Sequence, residues 1–98
     1  MNIKQSKENK KVVVAVEGRI DTNTAPELLD HLKEEMVGIE ELVLDLKKVD
    51  YISSAGLRVI LFAQKTMNSQ GSMSVTHVNS DIMEVFELTG FTDILTII

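Results

Sequence analysis

Ninety-eight residues, 44% hydrophobic and 26% charged, suit a single globular domain over residues 1–98 and argue against disorder. The net charge of −5 disfavours direct nucleic-acid binding, which needs a basic surface, and the absence of cysteine removes disulfides, thiolate catalysis and cysteine metal sites. No apolar run approaches the roughly 20 residues of a bilayer span and no signal-peptide stretch opens the chain, so no membrane insertion is expected and a cytoplasmic protein is the simplest reading.

Ile3 to Ser6 is expected to pair as an antiparallel edge strand across a turn at Lys7-Glu8-Asn9-Lys10. Its partner, Lys11 to Glu17, is apolar on both faces, which marks an interior strand. Gly18-Arg19-Ile20-Asp21 leads into a loop. Thr24-Ala25-Pro26-Glu27 then has the spacing of a capping box, with Pro26 in the first helical turn, where its missing N–H is harmless. Ala25, Leu28, Leu29, Leu32 and Met36 recur every three or four positions as one buried stripe, and Gly38 is a suitable stop.

Glu41 to Leu46 alternates, with Leu42, Leu44 and Leu46 on one face, as a second core strand. A helix from about Ser54 to Asn68 buries Leu57, Ile60, Leu61, Ala63 and Met67, and Gly71 can end it. Met73 to Val78 is a weaker strand. A third helix starts near Asn79-Ser80-Asp81, buries Ile82, Val85 and Phe86, and stops at Gly90. Ile94 to Ile98 is expected to close the chain as a last strand. The fold class is therefore α/β, a mixed, largely parallel sheet of about five strands with three helices packed on it.

Charge is uneven along the chain. Residues 1–11 carry a balance of +3 and residues 27–50 a balance of −5, which reads as a basic hairpin beside an acidic, solvated helix. Catalytic equipment is scarce. A serine nucleophile needs a base, and the only histidines are His31, placed on an exposed helix face, and His77, on a strand. Ile52-Ser53-Ser54-Ala55-Gly56 lacks the Gly-x-Ser-x-Gly elbow of hydrolases, and no glycine loop for a nucleotide is present. Asp21, Asp45 and Asp50 could gather at strand ends around magnesium, but solvated or capping carboxylates are far commoner. A binding module without enzymatic activity, metal or cofactor is expected.

What remains is a buried strand that delivers the chain to a serine at a helix start. By itself Ser54 reads as an N-cap, contributing about 1 kcal/mol. Ser54, Arg58 and Phe62 also fall at i, i+4 and i+8, away from the core stripe, with Val59 beside them. An exposed phenylalanine next to an arginine below a polar helix start suits a contact surface.

Leu44-Asp45-Leu46 followed by Val49-Asp50-Tyr51-Ile52-Ser53-Ser54-Ala55-Gly56-Leu57 resembles the signature of STAS domains, the anti-sigma factor antagonists of bacteria. Gly18-Arg19-Ile20-Asp21 with Thr24-Ala25, and Asn79 to Phe86 with Leu88-Thr89-Gly90-Phe91, match the same pattern, so the resemblance spans nearly the whole chain. It implies that a partner, both serine kinase and anti-sigma factor, phosphorylates the serine at the helix start. The unmodified antagonist binds that partner and frees the sigma factor for transcription, and a serine phosphatase reverses the modification. Carried over, the phosphoacceptor is Ser54, with Ser53 the lesser candidate because it is expected in the strand-exit turn. The partner-binding set is Asp21, Thr22, Asn23, Thr24, Ser53, Gly56, Arg58 and Phe62. Ser53 stands where many regulatory members carry aspartate. The alternative is a STAS-type regulatory or structural subunit of a transport or signalling complex that works without phosphorylation.

Overall fold

The computed structural model describes residues 1–98. In chain order the elements are β1 (Asn2–Glu8), β2 (Lys11–Ile20), α1 (Ala25–Glu35), β3 (Glu41–Ile52), α2 (Ser54–Asn68), β4 (Ser72–Thr76), α3 (Ser80–Thr89) and a 3-10 turn at Phe91–Asp93. The strands form one sheet in the order β1-β2-β3-β4. β1 runs antiparallel to β2, and the other two pairings are parallel, so α1 and α2 serve as the crossovers that parallel neighbours require.

Alternation along the strands decides which face is covered. Val12, Val14, Val16, Leu42, Leu44, Leu46, Met73 and Val75 join the inward residues of all three helices in one core of 24 residues. The helices therefore share one face of the sheet. Val43, on the other side, is buried yet lies outside that core, among the half-buried Val13, Ala15, Asp45 and Ser74. No helix is long and apolar enough to cross a membrane.

The sheet has four strands, and the fifth expected at Ile94–Ile98 does not form. Val75 and Ile97 make a single parallel bridge, through Val75 N–H to Thr96 O at 2.8 Å and Ile98 N–H to Val75 O at 2.9 Å. Helical backbone persists through Ile94, and Leu95 turns into the core, so pairing can begin only at Thr96. β3 errs in the other direction, running six residues past Leu46 to Ile52. The clean alternation stops at the exposed pair Lys47 and Lys48, where the β2–β3 register also shifts. An irregular ladder carries the strand past the point where the pattern ends. β4 stops at Thr76, because His77 takes a φ of 58°.

The charge asymmetry resolves into pairs. Lys10 and Lys11 lie 3.2 and 3.6 Å from Glu40 and Glu41, Lys7 lies 4.0 Å from Glu35, and Gln5 donates to Glu35. The basic hairpin is thus largely neutralised by the acidic segment beside it. His31 is half-buried rather than exposed, and its Nε2 has no partner.

Asn79 joins α3 to the sheet from both ends of its amide. Oδ1 accepts from the Ile82 amide at 2.9 Å as the N-cap, and Nδ2 donates to Val49 O at 2.8 Å. Asn79→Ala is expected to cost about 1–2 kcal/mol in urea unfolding. Asn79→Asp, which keeps the cap and loses the donor to Val49, falls between it and wild type.

Candidate functional site

The C-terminal ends of β2 and β3 meet the start of α2, and the two adjacent serines divide the work there. Ser53, extended at φ −97° and ψ 175°, is the N-cap, and its Oγ accepts from the Gly56 amide at 3.3 Å. Its own amide donates to Ile20 O at 2.8 Å, while its carbonyl accepts the first helical bond, from Leu57, at 2.9 Å. Ser53 is half-buried. The cap expected of Ser54 is therefore made by its neighbour, and Ser54 becomes the first helical residue, exposed and with no hydrogen bond from its hydroxyl to the protein. The Ser54 and Ala55 amides, first in the helix, have no intrahelical acceptor.

Gly56 fixes how closely this start sits on the sheet. A Cβ there would lie 2.6 Å from Ile20 Cγ2, 2.8 Å from Ile52 Cγ1 and 3.1 Å from Ile20 O. Only glycine allows that approach. Gly56 is buried, so its contribution to any partner contact is to place the serines and not to touch the partner.

Asp21 organises the adjoining loop. Its Oδ1 accepts from the amides of Asn23 at 2.9 Å and Thr24 at 3.0 Å, and the Thr24 hydroxyl lies 3.2 Å from the same oxygen. Thr24 Oγ1 accepts from the Asp21 amide and donates to Arg19 O. The expected capping box is absent, because the threonine hydroxyl is committed backwards to Arg19 and Asp21 and makes no cap bond. Thr22 and Asn23 remain exposed at the tip.

The Thr24 amide holds the Asp21 carboxyl below its ordinary pKa against the opposing effect of burial, with help from the Asn23 amide, the Thr24 hydroxyl and the Arg19 charge. A depressed folded-state pKa contributes stability above the unfolded value, near 3.9, that is lost as pH falls through the folded one. Asp21→Asn is therefore expected to unfold at lower urea than wild type at pH 6, with the gap narrowing at pH 3.

Arg19 is a member of this cluster that sequence reasoning missed. Its guanidinium lies 4.2 Å from the Tyr51 ring centroid and its Nε 3.6 Å from Asp21 Oδ2. The available signal was its place inside Gly18-Arg19-Ile20-Asp21, but its partner Tyr51 follows only from the β2–β3 register.

Along α2, Arg58 and Phe62 are exposed as expected, Phe62 with 39% of its surface free and Lys33 Nζ 5.6 Å from its ring centroid. Val59 departs from expectation and is buried, and Leu61 is only half-buried. Asp21, Asp45 and Asp50 do not gather, and no three acidic or histidine side chains form a metal-binding group. Asp45 instead accepts from the Lys47 amide and lies 3.1 Å from His77 Nδ1.

The family model of the STAS domain matches residues 1–98, the whole chain. The chain belongs to the STAS domain family. An anti-sigma-B factor antagonist of Listeria monocytogenes is 36% identical over 88 residues, covering 86% of this chain and 75% of its own. Among solved structures, an anti-sigma factor antagonist from Mycobacterium paratuberculosis superposes with a TM-score of 0.89 at 23% identity, over 98% of this STAS domain and 83% of that chain. SpoIIAA, a Bacillus cell fate determinant, superposes in its unphosphorylated form at 0.84 over 99% of this chain and 88% of its own. Its phosphorylated form gives 0.76 over 99% and 91%, each form at 11% identity, so these matches speak for the fold alone.

Proposed function

We propose that this STAS domain is an anti-sigma factor antagonist, switched by phosphorylation of Ser54. Unmodified, it binds an anti-sigma factor that is also a serine kinase and releases the sigma factor; phosphorylated, it lets the kinase go until a serine phosphatase restores it. The observation that carries this reading is the division of labour between the serines. The Ser53 hydroxyl is engaged in the cap, while the Ser54 hydroxyl is exposed and free, next to the Ser53 amide that bonds Ile20 O at the start of the Asp21 loop. The anti-sigma-B factor antagonist among its relatives supports the same reading.

A phosphate on Ser54 adds about −1.5 to −2 charges at pH 7. It falls at the positive end of α2, where the unbonded amides and the helix dipole favour an anion. The domain therefore tolerates the modification. A partner fitted to the neutral hydroxyl does not, because it meets a new charge that it must desolvate. Asp21, Thr22, Asn23 and Thr24 flank the serine, and Arg58 and Phe62 extend the contact along α2.

The test is incubation with ATP and the cognate kinase, followed by mapping of the phosphate by mass spectrometry. Phosphate on Ser54 is the expected result. Phosphate on neither serine removes the switch and leaves the family's other role, a regulatory or structural subunit that works without phosphorylation.

A further inference from the structure

Six of the ten cationic side chains stand within 4.0 Å of a carboxylate: Lys4, Lys7, Lys10, Lys11, Lys48 and Arg19. The four that do not are Lys33, Lys47, Arg58 and Lys65. Two of these meet in one place. Leu29, Lys33, Arg58, Val59 and Phe62 line a depression of about 160 Å³ between α1 and α2. Lys33 and Phe62 also line a second, of about 140 Å³, with Val37 and Thr66 on its walls. The two depressions share Lys33 and Phe62 and so make one groove, and no carboxylate lines either. Val37, at one end, has 75% of its surface free.

In a chain of net charge −5, a groove with free cations and an apolar floor is a local inversion of the protein's field. Its charge suits an anionic occupant. Its floor suits an apolar one, since a stripe of Leu29, Phe62 and Val37 gives a simple anion nothing to gain. A segment offering both is an acidic amphipathic stretch of polypeptide. The groove also continues the stripe that begins at Ser54, through Arg58 one helical turn on and Phe62 the turn after.

We propose that this groove seats an acidic, amphipathic segment of the anti-sigma factor. The segment's carboxylates face Lys33 and Arg58, and an aliphatic or aromatic side chain packs against Leu29 and Phe62. This deepens the proposed function and rests on it. The docking surface then spans two helices, and the kinase has a second hold on the domain, one to two helical turns from the serine it modifies.

Binding of the cognate anti-sigma factor to wild type, Lys33→Glu, Phe62→Ala and Lys47→Glu, measured by calorimetry at low and high salt, tests this. Lys47 is the control, being equally free of an ion pair but outside the groove. Lys33→Glu is expected to weaken binding about tenfold or more at low salt and to flatten its salt dependence. Phe62→Ala is expected to weaken it about tenfold at either salt, and Lys47→Glu to stay within about twofold of wild type. Equal losses in the two lysine variants, or none in Lys33→Glu, overturn the groove while leaving the proposed function standing. Absence of wild-type binding overturns both. Self-association in sedimentation that Lys33→Glu abolishes makes the occupant a second copy and overturns the acidic segment. Lys33 is exposed, so its variant reports even where Phe62→Ala folds poorly.

Discussion

Ser54→Asp is expected to bind the anti-sigma kinase at least about a hundredfold more weakly than wild type, and Ser54→Ala to bind at close to wild-type strength while accepting no phosphate. Two environments set that difference. On the free domain the new carboxylate lies in the first turn of α2, where a negative charge is favourable by about 0.3–1 kcal/mol, so Ser54→Asp melts no lower than wild type. In the proposed complex the same carboxylate would be enclosed by a surface matched to a hydroxyl. An uncompensated buried charge costs about 3–5 kcal/mol, or about two to three and a half decades in affinity. Calorimetric titration paired with thermal melts separates the two. If both variants bind like wild type, Ser54 lies outside the interface.

The second large effect is on stability and lies at the opposite end of the sheet. A Cβ on Gly71 would overlap the carbonyl oxygen of Glu40, with the Glu40 carbonyl carbon at 2.6 Å and Cα at 2.8 Å. Backbone cannot swing aside as a side chain can. The same Glu40 unit accepts from Ser72 at 2.9 Å and donates to Lys10 O at 2.8 Å, so it ties together the beginnings of β2, β3 and β4. Gly71→Ala is expected to cost about 3 kcal/mol or more, which moves the urea midpoint without changing the slope. A variant that unfolds like wild type would mean that the α2–β4 turn can move away from Glu40.

Helices were the most legible part of the chain. The stripe from Ala25 to Met36 and the one from Leu57 to Met67 reach the core largely as their periodicity implies. Leu29, Leu61 and Val85 are only half-buried because they lie at the edges of their stripes. Strands were less legible. Ile94–Ile98 has a strand's composition, but composition does not reveal that the 3-10 turn before it uses up the residues needed for pairing. β3 outran its own alternation because a register shift decouples pattern from pairing.

At the site, the spacing of Thr24 and Glu27 suggested a cap, yet a hydroxyl has several acceptors and donors within reach, and the Arg19 carbonyl and the Asp21 amide win. The cap fell to Ser53 and not to Ser54 because that choice turns on where β3 ends, and it ends at Ile52, four residues beyond Lys47-Lys48, where the alternation is already lost. Arg19 was passed over because what it touches comes from two different strands. The exposed positions Arg58 and Phe62 needed only helical spacing, and they lie where that spacing puts them.

The close seat of Gly56 on Ile20 and Ile52 has a bearing on how such a protein is counted in a cell. With no slack beneath the helix start, a phosphate on Ser54 projects outward and leaves the packing below it unchanged. Under the proposed switch both forms would then present the same fold to proteases and chaperones, so quality control that reads folding alone would not tell them apart. Their ratio would follow kinase against phosphatase.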